Sequence, residues 1–200
     1  LYSMLPELTN LNVRQRTINS VIARYHIDHA HAQRVADLSI AIAMQTQPGW
    51  NLAQFEAIDM LRSAALVHEI GLQVSYKDQQ IHASYLLANS NLPGFTSAQK
   101  KLLTAIVRNH RDDIDTNAIS QQTSTSVLLA TRLIRIIRLA VILSLRRSDE
   151  VLPEIKVSVE QEKLSIHLPE GWLDKNPLSA AELQQEASYQ GVQGWQLILV

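Results

Sequence analysis

The 200 residues are 46% apolar but only 5% aromatic, enough to bury a core in one domain with an appendage or in two small ones. A formal net charge of −1 excludes a general nucleic-acid binder, which needs a broad excess of Lys and Arg to displace counterions. The absence of cysteine excludes disulfides and thiolate metal sites, and a reducing, cytoplasmic setting is expected. Arg132, Arg135 and Arg138 interrupt the longest apolar run, so no membrane span is expected. The opening Leu1-Tyr2-Ser3-Met4 lacks the charged and apolar regions of a signal peptide and reads as the middle of a longer polypeptide.

Up to about Arg147 the apolar residues recur at helical spacing, which predicts a mainly α fold of about six helices. The first spans roughly Val13 to Arg24. The second runs from Asp28, its N-cap, to Gln45, and the third from about Leu52 to Ile70, stopped by Gly71. A shorter helix over Gln80 to Asn89 carries His82. The next opens on Thr96, with Gln99 three residues on as a capping box, and continues to about His110. The segment from about Thr125 to Arg147 is apolar almost all round, so that helix should be buried on several sides.

After Asp149 the pattern changes to alternation. Ile155-Lys156-Val157-Ser158-Val159 and Leu164-Ser165-Ile166-His167-Leu168 flank the polar Glu160-Gln161-Glu162-Lys163 and predict a β-hairpin. A short helix from about Ser179 to Tyr189 and a strand from Gly194 to Val200 follow. The expected organisation is a helical domain over residues 1–148 and a small α+β end domain (β-hairpin, helix, strand) over 149–200.

The richest stretch for chemistry is Ala64-Ala65-Leu66-Val67-His68-Glu69-Ile70-Gly71, an apolar helix ending in a histidine, an acid and a glycine. It resembles the HD phosphohydrolases, where adjacent His and Asp hold a divalent metal, except that Glu stands in place of Asp. His31, His82 and His110 fall where further ligands would be recruited. The closing acid is missing: Val141 stands near its expected place, and no Asp or Glu lies between Thr116 and Arg147. Loss of one hard anionic ligand weakens such a site severely. His31, His68, Glu69 and His82 are therefore read as a degenerate HD site, its histidines structural and no metal expected.

The arginines pose a separate question. Arg132, Arg135 and Arg138 repeat every three residues, each step turning about sixty degrees, and form a drifting ribbon on a greasy helix; Arg146 returns to nearly the same side as Arg135. Guanidinium groups in a partly buried helix must meet anions, because they cannot discharge by losing a proton. Two kinds of partner are open: internal carboxylates, with Glu69, Asp59 or Asp37 as candidates, or external phosphate oxygens held in the fork geometry that Arg suits. On the second reading Arg132, Arg135, Arg138 and Arg146, adjoined by Arg108 and His110, are the phosphate-binding residues.

The remaining features are plainer. Lys100-Lys101 reads as a solubilising pair, and Trp50, Trp172 and Trp195 as packing anchors, with Trp172 and Trp195 tying the end unit to the helices. There is no Gly-rich phosphate loop and no nucleophilic Ser or Thr in an elbow, so no catalytic residue is assigned.

The chain resembles the C-terminal half of the exopolyphosphatase/guanosine pentaphosphate phosphohydrolase family. The resemblance rests on Val13-Arg14-Gln15-Arg16-Thr17, Arg24-Tyr25-His26-Ile27-Asp28, Gln33-Arg34-Val35, His68-Glu69-Ile70-Gly71-Leu72, His82-Ala83-Ser84-Tyr85, Leu92-Pro93-Gly94-Phe95, Ile137-Arg138-Leu139-Ala140 and Leu168-Pro169-Glu170-Gly171-Trp172-Leu173. Phe95-Thr96-Ser97-Ala98-Gln99-Lys100-Lys101-Leu102-Leu103 and the stretch from Arg146 to Glu154 look closer to the guanosine pentaphosphate branch. The resemblance implies an enzyme with N-terminal actin-like domains that bind Mg²⁺ and remove terminal phosphate from guanosine pentaphosphate or polyphosphate. This HD-like domain, its metal site degenerate, and a small end domain would follow them. This stretch would then be a non-catalytic substrate-binding and dimerisation region, carrying no cofactor of its own and forming a homodimer without membrane or nucleic-acid partners. The alternatives are a metal-dependent HD-type phosphohydrolase in its own right and a purely architectural dimerisation module.

Overall fold

The computed structural model describes residues 4–52, 55–145 and 154–200, and their side chains from residue 11 onward except that of Phe55. The helical body comprises α1 (Met4–Arg24), α2 (His29–Trp50), α3 (Phe55–Val67), α4 (Gln79–Ala88), α5 (Ser97–Arg108), α6 (Thr116–Gln121) and α7 (Val127–Leu143). The end unit contributes β1 (Lys156–Glu160), β2 (Lys163–His167), α8 (Trp172–Lys175), α9 (Pro177–Val192) and β3 (Gln196–Leu199). The fold is mainly α with a small α+β end, as expected. The expected division at 148/149 and Arg146 both lie outside the described residues.

Local signals account for most helix starts. The Asp28 carboxylate accepts the His31 N–H at 3.0 Å and caps α2. Thr96 and Gln99 form the reciprocal capping box of α5: Thr96 Oγ1 accepts from Gln99 N at 3.2 Å, and Gln99 Oε1 accepts from Thr96 N at 2.8 Å. The apolar α7 is buried on several sides as its composition requires, packing against α2, α3, α5, α6 and α9.

Several elements differ from expectation, α1 beginning already at Met4 rather than near Val13. α2 continues past Gln45, through Pro48 and Gly49, because Trp50 is fully buried and holds the last turn, and Asn51 then closes the helix in the left-handed conformation at φ 50°. Gly49 serves close approach there: a Cβ would sit 2.4 Å from Val159 Cγ2, so α2 lies directly on β1. α3 stops at Val67, and a 3-10 turn over His68–Gln73 takes over. Gly71 is therefore not a helix stop. It lies inside that turn because α4 presses on it, and a Cβ would come 1.9 Å from Gln79 O and 2.7 Å from Ala83 N. Finally, α6 forms between His110 and Thr125, where no helix is expected, capped by Asp115, whose Oδ1 accepts the Ala118 N–H at 3.0 Å.

The sheet has the order β1-β2-β3. β1 and β2 pair antiparallel with Val157 opposite Ile166 and Val159 opposite Leu164; β3 returns through α8 and α9 to lie parallel to β2, with Leu164 opposite Leu197. Val157, Leu164, Ile166 and Leu197 are buried with the helical apolar residues in one continuous cluster. The end unit thus closes the same core that α2 and α7 build.

Candidate functional site

Two clusters bear on function. The first forms where α3 gives way to the 3-10 turn. His68 and Glu69 open the turn, His31 reaches them from the first turn of α2, and one ligand atom from each of the three lies within 4.8 Å of the others. His31 Nε2 stands 3.7 Å from Glu69 Oε1. His110, just past the end of α5, meets the His68 ring edge-on with centroids 5.1 Å apart, and the His31 and His68 centroids are 6.0 Å apart. All four are buried, with 3, 2, 8 and 1% exposure for His31, His68, Glu69 and His110.

Backbone carbonyls orient two of these rings. His68 Nδ1 lies 2.7 Å from Ala65 O and His110 Nδ1 lies 2.6 Å from Val107 O. A carbonyl only accepts, so each Nδ1 carries the proton and each Nε2 is left as a lone-pair donor. Burial, then the neighbouring His68, hold the His110 imidazole well below its ordinary range despite the opposing Val107 carbonyl, with Arg111 and Arg138 adding to the depression. His110 is therefore neutral at physiological pH. Its expected role as a phosphate contact does not survive its position, since a buried neutral ring offers an anion nothing.

His82 does not join the cluster. α4 packs against Gly71 through Gln79 and Ala83, and Gln79, Gln80, Ala83 and Leu87 form its buried stripe. His82 lies off that stripe and is only half-buried. The sequence placed it near a ligand position by counting along the chain, but the register of α4 turns it aside.

The second cluster is the arginine ribbon of α7, and it faces inward. Arg138 is 1% exposed; its Nε and Nη2 bond Glu186 Oε1 and Oε2 at 2.7 and 2.8 Å, and its remaining donors reach Asn109 O and Asp112 O, each at 2.8 Å. Arg135 is fully buried, donating at 2.7 Å to Gln190 Oε1, Glu162 O and Gln196 O, with the Trp50 and Trp195 rings 5.1 and 5.9 Å from its guanidinium carbon. Burial pushes Arg135 down to about 10, which leaves it a cation at neutral pH. Arg132 bonds the Glu162 carboxylate and donates to Trp50 O at 2.9 Å. Trp50 itself donates its indole N–H to Gln161 O at 2.8 Å.

The phosphate-facing ribbon is therefore corrected for Arg135 and Arg138: both guanidinium groups are enclosed and their donors already bonded. The internal partners are corrected as well. Asp59 pairs with Arg14 at 2.9 Å, Asp37 accepts from Gln33 at 2.7 Å, and Glu69 faces His31, while the arginines take Glu162 and Glu186 from the end unit. Sequence reasoning missed those acids. A usable signal existed in the spacing of Ser179, Leu183, Glu186 and Gln190, which sets Glu186 and Gln190 on the buried stripe of α9 beside Leu183.

Cationic side chains open to solvent gather instead at a groove between α4, α5 and α6. It has a volume of about 560 Å³ and is lined in part by Ser84, Lys100, Lys101, Thr104, Arg108 and Asp115. Lys100 Nζ is held by Ser90 O at 2.5 Å, and Arg108 Nε lies 3.4 Å from Asp115 Oδ2. Arg108 thus sits where a ligand can reach it, as do Lys100 and Lys101, which the sequence offered only as a solubilising pair.

A mainly helical domain, closed by a small α+β unit and carrying a buried histidine–glutamate cluster, is the class that fold and site define. The model of the family described as "Ppx/GppA phosphatase, domain III" matches residues 13–187, and the chain belongs to that family. It is 41% identical over 199 residues to a guanosine-5'-triphosphate,3'-diphosphate pyrophosphatase of Pseudoalteromonas translucida, covering all of this chain and 40% of that protein. Proteins with the same name from Aeromonas hydrophila and Aeromonas salmonicida are each 40% identical over 195 residues, 98% of this chain and 39% of theirs. The chain therefore spans about two fifths of the length of these relatives. Among the described residues no helix is long and apolar enough to cross a membrane.

Proposed function

We propose that this chain is the non-catalytic C-terminal region of a cytoplasmic phosphohydrolase that removes terminal phosphate from guanosine pentaphosphate or polyphosphate, and that it serves substrate binding and dimerisation. One observation carries the reading. In a chain of a phosphatase family, the His31, His68, Glu69 cluster that could do metal-assisted chemistry is closed to solvent, so the reaction belongs to other parts of the enzyme. A groove lined by Lys100, Lys101 and Arg108 is open to a polyanion. The cationic side chains there raise the local concentration of a chain of phosphates and help hold it. The ribbon of α7 has a different task in this account, which is to fasten the end unit to the helical body.

The test is kinetic. Lys101→Gln with Arg108→Gln in the full-length enzyme is expected to raise KM for guanosine pentaphosphate by about fivefold with kcat retained, the signature of lost ground-state binding. An unchanged KM defeats the substrate-binding half, and a monomer in analytical ultracentrifugation defeats the dimer half. A second reading, hydrolysis by an HD-type metal centre, is favoured by the three ligand atoms gathered within 4.8 Å. Burial counts against it, because a phosphate ester has no path to them.

A further inference from the structure

Ser90 stands between two grooves. Its carbonyl holds Lys100 Nζ, which lines the groove already described, and Ser90 itself lines another against α1. We propose that this second groove, between the C-terminal half of α1 and residues 90–93, binds a linear oligophosphate. It uses none of the Lys100, Lys101 and Arg108 side chains, and it stands whether or not those bind substrate.

Charge is the first support. Arg16, Ser20 and Arg24 repeat every four residues and so form one row on α1, the two arginines about 12 Å apart along the axis. All three are exposed and border the groove. No carboxylate lines it, and neither arginine has an acidic partner among the described residues. Arg14, by contrast, is paired with Asp59, and Arg108 with Asp115. Arg16 Nε donates to Asn12 O of its own helix at 3.3 Å, and the Arg24 guanidinium lies 5.5 Å from the Tyr25 ring centre, which leaves the Nη donors of both for a ligand.

A rigid wall is the second. Thr17 Oγ1 donates to Pro93 O at 2.8 Å and Arg14 Nε to Gly94 O at 2.6 Å, fastening the loop to α1. From the other side Ser90 Oγ donates to Leu86 O at 2.6 Å, and Lys100 holds the Ser90 carbonyl. The concavity is therefore built before any ligand arrives, and its volume of about 410 Å³ suits a small molecule.

The lining narrows the ligand. Guanidinium groups take phosphate oxygens two at a time, and Ser20, Tyr25 and Asn91 set uncharged polar groups beside them. Orthophosphate engages one arginine, whereas a chain of three or more phosphates lying along the row meets both. A nucleobase finds little area, because the apolar lining is confined to Val13, Val21 and Pro93 and the Tyr25 ring already faces Arg24.

The test is calorimetric titration of inorganic tripolyphosphate at constant ionic strength into protein carrying Lys101→Gln and Arg108→Gln, which removes cations from the other groove. Binding should persist there with one site per chain. Adding Arg16→Gln and Arg24→Gln, both at exposed positions, should weaken it at least about fivefold, whereas adding Lys156→Gln on β1 should leave it unchanged. GTP, with the same triphosphate, should bind within about threefold of tripolyphosphate. No saturable binding in the Lys101, Arg108 variant, or binding that survives the loss of Arg16 and Arg24, overturns the site; GTP binding without tripolyphosphate binding overturns the ligand class. Failure of the other groove shows separately, as tripolyphosphate affinity that Lys101→Gln with Arg108→Gln does not alter, and that outcome leaves the second groove standing.

Discussion

Arg138 and Glu186 form a two-pronged ion pair inside the protein, joining α7 to α9 through contacts of 2.7 and 2.8 Å, with side-chain exposures of 1 and 3%. The fork geometry of the guanidinium matches both carboxylate oxygens, and Gln190 adds a third contact by donating to Glu186 Oε1 at 2.7 Å. Removing one partner strands a charge in a low-dielectric interior, so Glu186→Ala is expected to cost about 3–5 kcal/mol in urea unfolding. Replacing both, as Arg138→Met with Glu186→Leu, should recover most of that loss. A double variant no more stable than Glu186→Ala would show that the carbonyls of Asn109 and Asp112, which Arg138 also satisfies, need that guanidinium.

Trp50 is the joint on which the hairpin turns. Its ring is fully buried, its indole donates to Gln161 O, its own carbonyl accepts from Arg132, and Arg135 stacks near its face. Trp50→Phe loses the indole bond and some volume and should cost about 1–2 kcal/mol, whereas Trp50→Ala should cost about 3–5 kcal/mol by opening a cavity. Thermal unfolding followed by circular dichroism separates the two. Equal losses would mean that ring volume contributes little there.

Elements whose cause is local were legible in the chain. The Asp28 cap, the Thr96–Gln99 box, the greasy α7 and the alternating hairpin each depend on residues a few positions apart. Features set by distant contacts were not. Nothing near Arg138 announces that its anion arrives from Glu186, 48 residues on, and nothing near Val67 announces that α4 will press against Gly71 and tighten the following turn. α6 escaped notice because only Ile119 of its six residues is buried, so it carries no apolar period to read. For the cluster, the sequence offered His31, His82 and His110 as neighbours of His68 and Glu69; the structure places His31 and His110 beside them and sets His82 apart.

Gly71 yields a sharp expectation from geometry alone. A methyl group at this position meets Gln79 O at 1.9 Å and the Ala83 backbone at 2.7 Å, and backbone cannot swing aside as a side chain end does. Gly71→Ala should therefore push α4 outward and destabilise the protein by about 1–3 kcal/mol. Gly191→Ala, where an added Cβ meets nothing within 4 Å inside α9, should be neutral or slightly stabilising through helix propensity. Measured Tm values in the opposite order would refute this account of the turn.

His110 makes stability depend on pH, and the sign follows from its burial. In the fold its imidazole is held well below the ordinary value by desolvation first, then by His68, with Arg111 and Arg138 contributing, while in the unfolded chain it titrates near 6.5. Below that pH the unfolded state binds a proton the folded state refuses, so the unfolded state gains and stability falls as pH drops. The contribution is complete above about pH 6.5 and is lost progressively under it, with a slope of at most about 1.4 kcal/mol per pH unit. Chelator-treated protein unfolded in urea at pH 7.5, 6.5 and 5.5 should show the decline, and His110→Gln should flatten it even though that variant is less stable at pH 7.5. A decline of equal slope in both proteins would remove His110 as its source.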